Sequence, residues 1–205
     1  MLERRGLYRA ACLMLLCGFW LVGCSTNRPP SQQENLCQIF AEKPDWQEAA
    51  EGVSKRWGTP VFVPMAMMYQ ESSFRADARP AMRYFLWIIP YGRPSTAFGY
   101  AQVKDETWAD YQRETGNNWS SRDNFDDALD FMGWYTNKTQ RVNGISKWDA
   151  YNQYLNYHEG WGGFSRGSHL QKAWLLPVAR KVDERSKRYS MQYKGCAYKA
   201  PTGWF

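Results

Sequence analysis

A single carboxylate lies inside one of the most apolar stretches of the chain, and this placement limits how the chain can fold. The stretch is residues 67–74 (MMYQESSF), and its acid is Glu71. Because burying a charge is costly, an acid in such surroundings needs a partner or a task. We expect burial to raise the pKa of Glu71, so that it could donate a proton near neutral pH. The plainer interpretation is a core helix whose Glu71 points to solvent.

Most of the chain has the apolar spacing of helices rather than of strands. Short strands are expected only between Tyr84 and Val103. The sequence therefore predicts a mainly α domain with at most a short β-hairpin or irregular flap. Capping and breaking residues predict six helices. Their ranges are 45–57 with Asp45 as its cap, 63–73, a helix opened by Asp105 or Thr107 and ending near 116, 124–142, 147–157, and 168–188 with a break or kink at Pro177.

The N-terminus has the features of an export signal. A basic start is followed by an apolar run over residues 10–22 and then by Leu21-Val22-Gly23-Cys24. This pattern predicts a signal peptide over residues 1–23, because the run is short for a membrane-spanning helix. A tight N-terminal anchor helix is the alternative. Residues 24–35 are polar and contain proline, which predicts a flexible tether before one domain over residues 36–205.

The sequence around Cys24 resembles the bacterial lipobox. The resemblance implies that Cys24 becomes a lipid-bearing N-terminus after cleavage. Ser25 follows it, and no Asp is present there to retain the protein at the inner membrane. We therefore expect a lipoprotein on the periplasmic face of the outer membrane, held to the membrane through its N-terminal lipid.

Cysteine usage agrees with an exported protein. Of five cysteines, Cys12 and Cys17 would leave with the signal peptide and Cys24 would carry lipid. The remaining pair, Cys37 and Cys196, would be joined in a disulfide in an oxidising compartment, or would remain as two buried thiols. No Cys-x-x-Cys or His-Glu-x-x-His pattern is present, so no metal site is expected.

The composition suggests a polymeric partner. The formal net charge is +6, and the chain contains 11 Trp and 13 Tyr. A basic, aromatic-rich surface suits nucleic acid or an anionic polymer with sugar rings. Export disfavours nucleic acid, so cell-wall glycan is the partner that we expect.

Three short motifs occur in a defined order: 71–78 (ESSFRADA), 97–103 (AFGYAQV) and 156–160 (NYHEG). Together they resemble lytic transglycosylases of the soluble, goose-lysozyme-like type, whose motifs read E-S-x-F-x-P-x-A, G-L-M-Q and A-Y-N-x-G. The resemblance covers roughly residues 62–179. It implies a monomeric, lysozyme-like helical domain that uses no cofactor. It also implies cleavage of the bond between N-acetylmuramic acid and N-acetylglucosamine in peptidoglycan.

The resemblance assigns Glu71 two consecutive roles. The acid would protonate the glycosidic oxygen and then, as a carboxylate, deprotonate the C6 hydroxyl of the muramoyl sugar, giving an anhydromuramoyl product. The other matching residues would contact substrate, although a core, capping or turn role is the alternative for each. These residues are Ser72, Ser73, Gly99, Tyr100, Gln102, Tyr157 and His158.

Two departures from the family pattern concern the third motif. His158 stands where the family has Asn, and Glu159 adds a carboxylate. If Glu159 faced Glu71 across a cleft, ordinary muramidase-type hydrolysis would become possible. Otherwise Glu159 would point outward or pair with an Arg. The segment 160–164 (GWGGF) is expected to form a flexible aromatic loop at the edge of the groove.

A third departure is the long spacer between Glu71 and Gly99, rich in aromatic residues over 79–96. It could be a wall of the glycan groove, with Tyr84, Trp87 or Tyr91 stacking on sugars. It could also be a flap packed on the core, or a docking surface for a protein or membrane. The altered third motif and the long spacer leave a second function open, a lipoprotein that binds peptidoglycan without cutting it.

Overall fold

The computed structural model describes residues 28–196, so the predicted signal peptide and Cys24 lie outside the described residues. Within this range the mainly α fold predicted from the sequence is confirmed, with one two-stranded antiparallel sheet. The elements are α1 (Leu36–Glu42), α2 (Pro44–Trp57), α3 (Phe62–Ser72), β1 (Arg83–Phe85), β2 (Ile89–Gly92), α4 (Asp105–Thr115), α5 (Phe125–Asn143), α6 (Ala150–Ser165), a 3-10 turn (Ser168–Gln171) and α7 (Leu175–Cys196).

Helix α3 is the centre of the fold, because its residues 63–68 are all buried. It packs against α5, α6 and α7, while α2 lies along α5. Helices α2 and α5 approach closely at Gly133, where an added Cβ would lie 2.6 Å from Val53 Cγ1. A hydroxyl pair, Thr59 and Thr136, is joined at 2.7 Å across this buried contact. The small residue and the paired hydroxyls allow close helix packing without leaving a polar group unsatisfied.

An aromatic cluster ties α2 to the turns that carry the sequence motifs. Trp46 of α2 stacks on Phe125 of α5 with ring centroids 3.7 Å apart. Phe74 and Tyr100, which follow α3 and precede α4, contact Trp46 at 5.7 and 5.8 Å. Aromatic contacts of this kind bury a large area and have preferred geometries. The cluster therefore fixes the end of α3 relative to the second motif.

The predicted helix boundaries are close to those observed, with two corrections. Asp45 is not the cap of α2, because the helix begins at Pro44 and Asp45 lies in its first turn. Proline is well suited to the first helical position, and an acid in the first turn complements the helix dipole. Pro177 does not kink a helix that begins at 168. It lies in the first turn of α7, where its missing N–H costs nothing.

The segment 160–164 is not the flexible loop that its glycines suggest. It belongs to α6, which continues to Ser165 across a single non-helical residue, Gly160 (φ 72, ψ 162). The Trp161 ring stacks on Tyr135 at 4.5 Å, and its indole N–H donates to Thr139 Oγ1 at 3.0 Å. These contacts with α5 hold the segment in place despite its low helix propensity.

Residues 28–35, which the sequence places in a flexible tether, contact the domain. The Ser31 hydroxyl donates to the Glu42 carboxylate at 2.9 Å. Glu34 forms ion pairs with Arg185 and Arg188 of α7. Part of the predicted tether therefore packs against α1 and α7.

Cys37 lies on α1 beside the end of α7, with its Sγ 3.4 Å from the Gln192 carbonyl oxygen. Residue 196 is one helical turn beyond Gln192 on the same side of α7. The side chain of Cys196 lies outside the described residues, so the Cys37–Cys196 disulfide stays a prediction. Of the helices between residues 28 and 196, none has the length and apolar character needed to cross a membrane.

Candidate active site

Glu71 occupies the last turn of α3 and is half-buried. The helix ends immediately after it, because Ser73 and Phe74 both take left-handed backbone conformations (φ 51 and 58). The second of these residues is fully buried, which offsets the cost of its unusual conformation. The chain thus turns sharply just beyond the acid, and the carboxylate is left at the end of an apolar helix.

Desolvation determines the acidity of Glu71. Burial raises its pKa to about 7, and a hydrogen bond from the Tyr154 hydroxyl partly opposes that rise. The acid form is therefore well populated near neutral pH, as general acid catalysis requires. The raised pKa expected from the sequence agrees with this environment.

Tyr154 is a residue of the site that sequence reasoning missed. It lies on α6, three residues before Tyr157, so the two side chains share one face of the helix. Burial and the neighbouring Glu71 both raise the pKa of Tyr154 above its usual value, so its hydroxyl stays neutral and can donate. The spacing to Tyr157 was the signal that could have found it.

Tyr157 joins the third motif to the second. Its hydroxyl donates to the Ala101 carbonyl oxygen at 2.5 Å. Burial raises the pKa of Tyr157 well above its usual value, and the charge of Glu71 adds to the rise, so Tyr157 and Glu71 are near neighbours. The hydroxyl proton of Tyr157 is thus used on the backbone, and a contact of Tyr157 with substrate stays a prediction.

Gln102 joins the second motif to the first. Its side-chain amide donates to the carbonyl oxygens of Ala78 at 2.7 Å and Gly99 at 2.9 Å. Both amide hydrogens are therefore used inside the protein rather than on a sugar. These two bonds close the wall of the site, and a contact of Gln102 with substrate stays a prediction.

Gly99 is required by a close approach of backbone rather than of substrate. Its φ is 76°, and an added Cβ would lie 2.0 Å from the Arg122 carbonyl oxygen. That same carbonyl accepts a hydrogen bond from the Tyr100 amide at 3.1 Å. The loop before α5 thus packs directly on the second motif, and a side chain at position 99 would separate them.

Three other predicted contact residues occupy different positions. Tyr100 is a core residue, 2% exposed, and burial raises its pKa to about 12. Ser72 is buried and its hydroxyl donates to the Met68 carbonyl within α3 at 3.2 Å. Ser73 is exposed and caps the helix in a left-handed conformation. Of these three, only Ser73 presents its side chain to solvent near Glu71.

Glu159 has its own partners and is not a second acid beside Glu71. Desolvation acts to raise its pKa, but hydrogen bonds from Lys172, Ser168 and His158 outweigh this and lower the pKa to about 2. Lys172 Nζ lies 2.7 Å from Glu159 Oε1. The predicted pairing with an Arg is therefore corrected to a pairing with a Lys.

His158 is partly exposed and contacts the carboxylate of the Glu159–Lys172 ion pair. Its Nδ1 lies 2.9 Å from Glu159 Oε1, and its ring meets Trp174 edge-on at 5.1 Å. The His that replaces the family's Asn thus helps to hold a carboxylate at the surface of α6.

The fold and the site define a class: an α-helical, lysozyme-like domain with an acid of raised pKa, Glu71, in the last turn of α3. The transglycosylase SLT domain family model matches residues 12–196, so the chain belongs to that family. No curated protein matches the chain. No solved structure matches it either.

The contact at Gly99 gives a stability prediction. Gly99→Ala should destabilise the protein by more than about 2 kcal/mol, because strain at positive φ adds to a clash with the Arg122 carbonyl. The matched control is Gly144→Ala, where φ is also positive (70°) but no atom lies within 4 Å of the added Cβ. The control should cost only about 1 kcal/mol. Urea unfolding measures the free energy of unfolding of both variants. Equal losses of stability would contradict the predicted clash at position 99.

Glu71 and Glu159 should have opposite effects on the stability of the protein as pH changes. The folded-state pKa of Glu71 is raised, so ionising it costs stability as pH rises between about 4.5 and about 7. Glu71→Gln should therefore stabilise the protein at pH 8, on the order of 2 kcal/mol, and give no gain at pH 4.

Glu159 has a lowered pKa, so its contribution to the free energy of unfolding is present at neutral pH and lost towards pH 2. Glu159→Gln should destabilise at pH 7, and thermal melts across pH test both signs.

Proposed function

We propose that this protein is a peptidoglycan lytic transglycosylase that cleaves the bond between N-acetylmuramic acid and N-acetylglucosamine and forms an anhydromuramoyl product. Membership of the transglycosylase SLT domain family supports a glycan-cleaving activity. The finer proposal rests on the state of Glu71. Burial raises the pKa of this acid to about 7, and the Tyr154 hydroxyl donates a hydrogen bond to it.

The two states of Glu71 suit two successive steps. In the first, the protonated acid donates its hydrogen to the glycosidic oxygen, and the bond to the anomeric carbon of the muramoyl sugar breaks. In the second, the resulting carboxylate takes the proton of the sugar's C6 hydroxyl, whose oxygen closes on the anomeric carbon. No water is consumed, and Glu71 regains its proton. The Tyr154 hydroxyl stabilises the carboxylate between the steps, because a hydrogen bond favours the charged form.

The environment of Glu159 argues against the hydrolase alternative. A hydrolase that uses two carboxylates needs the second as a nucleophile or a base on the same cleft. Glu159 is instead held by Lys172, Ser168 and His158, and the shift of the Glu71 pKa arises from burial and Tyr154. A protein that only binds glycan would not need to bury an acid among apolar residues, because that burial lowers the stability of the fold.

We further propose that the mature protein is a lipoprotein of the outer membrane that faces the periplasm. The lipobox-like Leu21-Val22-Gly23-Cys24 and the Ser at position 25 support this location. The same location would give the Cys37–Cys196 pair oxidising conditions and would bring the domain to peptidoglycan strands.

The products released from purified cell-wall sacculi test the proposed reaction. We expect anhydromuramoyl ends by mass spectrometry, and Glu71→Gln should reduce their release by on the order of 10²–10⁴-fold. Glu159→Gln serves as the comparison and should give the same product type. Reducing muramic ends that vanish in Glu159→Gln would instead identify a hydrolase. Sacculus binding without any release from the folded wild-type protein would identify a binder.

The Tyr154 hydrogen bond should be visible in the pH profile of that activity. Its loss in Tyr154→Phe removes an effect that lowers the Glu71 pKa, so the alkaline limb should move to higher pH by roughly one unit. The maximal rate should also fall, because the carboxylate loses its donor. Tyr135→Phe is the control, since the Tyr135 hydroxyl donates to the Asn156 carbonyl instead. Identical shifts in both variants would exclude a direct role for Tyr154.

A further inference from the structure

The hairpin of β1 and β2 stands free of the domain. Its two strands contact each other and no other helix or strand among residues 28–196. The expectation that this spacer packs on the core is therefore wrong. Its tip is Leu86-Trp87-Ile88, with exposed fractions of 67%, 94% and 76%. Other large side chains along it are also exposed, namely Tyr84, Phe85, Ile89 and Tyr91.

The turn at the tip contains large apolar residues at positions where small polar residues would cause less backbone strain. Leu86 and Trp87 both have positive φ (49° and 67°), and the Ile88 amide donates to the Phe85 carbonyl across the turn at 3.3 Å. Tight hairpin turns of this kind favour Asn-Gly, which tolerates positive φ. A bulky residue in that conformation is an outlier that indicates a function for its side chain.

The charged residues within the spacer are all basic. Between Asp77 and Asp105 the chain contains Arg79, Arg83, Arg93 and Lys104 and no acidic residue. Arg83 opens β1 and is exposed, and Arg93 follows β2 and donates to the Pro80 carbonyl. The base of the hairpin is therefore cationic, while its tip is apolar.

The first described residue lies near the start of the spacer. Arg28 lines a cavity of about 550 Å³ together with Arg79, four residues before β1, and the acids Asp77 and Asp123. Position 24 is only four residues before Arg28, a span of roughly 14 Å at most. The lipid anchor that we propose at Cys24 would thus emerge near the base of the hairpin.

We propose that the hairpin over residues 83–92 is a second membrane contact, whose tip inserts into the interface of an anionic phospholipid bilayer. Aromatic rings are favoured at the headgroup level, aliphatic side chains just below it, and arginines pair with lipid phosphates. A glycan strand fits the tip less well, because Leu86, Ile88 and Ile89 offer no ring for stacking on sugars. This inference goes beyond the proposed cleavage reaction and does not depend on it.

A fluorescent amino acid whose emission shifts to blue in apolar surroundings tests the insertion. It is placed at position 87 of the full chain, and the protein is added to vesicles of phosphatidylethanolamine and phosphatidylglycerol. We expect a blue shift at position 87 and quenching by spin-labelled acyl chains. The matched control is position 119, where Trp119 is 98% exposed in the connection between α4 and α5. The probe at position 119 should keep its aqueous emission.

The other outcomes each overturn the proposal. No shift at position 87 excludes insertion, and equal shifts at positions 87 and 119 indicate unspecific adsorption. A shift at 87 that requires sacculi instead of vesicles identifies a glycan wall. A shift that grows with protein concentration without lipid identifies contact between copies of the chain. Because the probe reports on the hairpin rather than on bond cleavage, its result is independent of the proposed function.

The arginines supply the dependence on anionic lipid. Arg83→Gln should weaken insertion of the tip by roughly fivefold, since one cationic group near such a surface contributes about that factor. The difference from wild type should vanish in phosphatidylcholine vesicles. Arg180→Gln, an exposed arginine on α7, is the control and should leave the probe signal unchanged. Equal effects of the two substitutions would overturn the role of charge at the hairpin.

Discussion

The side-chain amide of Gln102 holds the site together, because it bonds to two carbonyls that the sequence separates. Ala78 ends the first motif and Gly99 belongs to the second, and one amide donates to both. The Tyr157 hydroxyl then bonds the second motif to the third through the Ala101 carbonyl. The Ala78 carbonyl also accepts a hydrogen bond from the Gly99 amide, so backbone and side-chain bonds together join the first motif to the second. These bonds connect the three motifs, and Glu71 is the first residue of the first motif.

The protein keeps Glu71 and Glu159 in opposite protonation states by giving them different partners. Glu71 lies at the end of an apolar helix, and its donor is the neutral phenol of Tyr154. Burial therefore determines its pKa, and the acid form persists near neutral pH. Glu159 has an ammonium group, a hydroxyl and an imidazole within reach, so the charged form dominates. Desolvation acts in the same direction on both, and the partner decides the outcome. Glu71 can therefore be reactive while Glu159, in the third motif, stays ionised.

Features that depend on neighbouring residues could be predicted from the sequence, and features that depend on distant partners could not. The ends of α4 and α5 follow from local signals, the Asn124 cap and the glycines at 116 and 144. The continuation of α6 through residues 160–164 depends on Trp161 meeting Tyr135 of another helix, which no local rule reports. In the same way, no local rule reports that Gly99 packs on the Arg122 carbonyl or that the Gln102 amide bonds to Ala78, because these partners lie more than twenty residues away.

The long spacer leaves the site intact because it is closed at its base. The Gly99 amide donates to the Ala78 carbonyl at 3.0 Å, so the chain leaves and re-enters the domain at one point. The entropy of closing a loop rises only slowly with its length, so an inserted hairpin costs little once its ends are fixed. The hairpin over residues 83–92 can then extend outward without moving Glu71 relative to Tyr154 and Tyr157. Because the hairpin is anchored to the same bonds that shape the site, a surface that holds its tip would also determine the position of the acid relative to that surface.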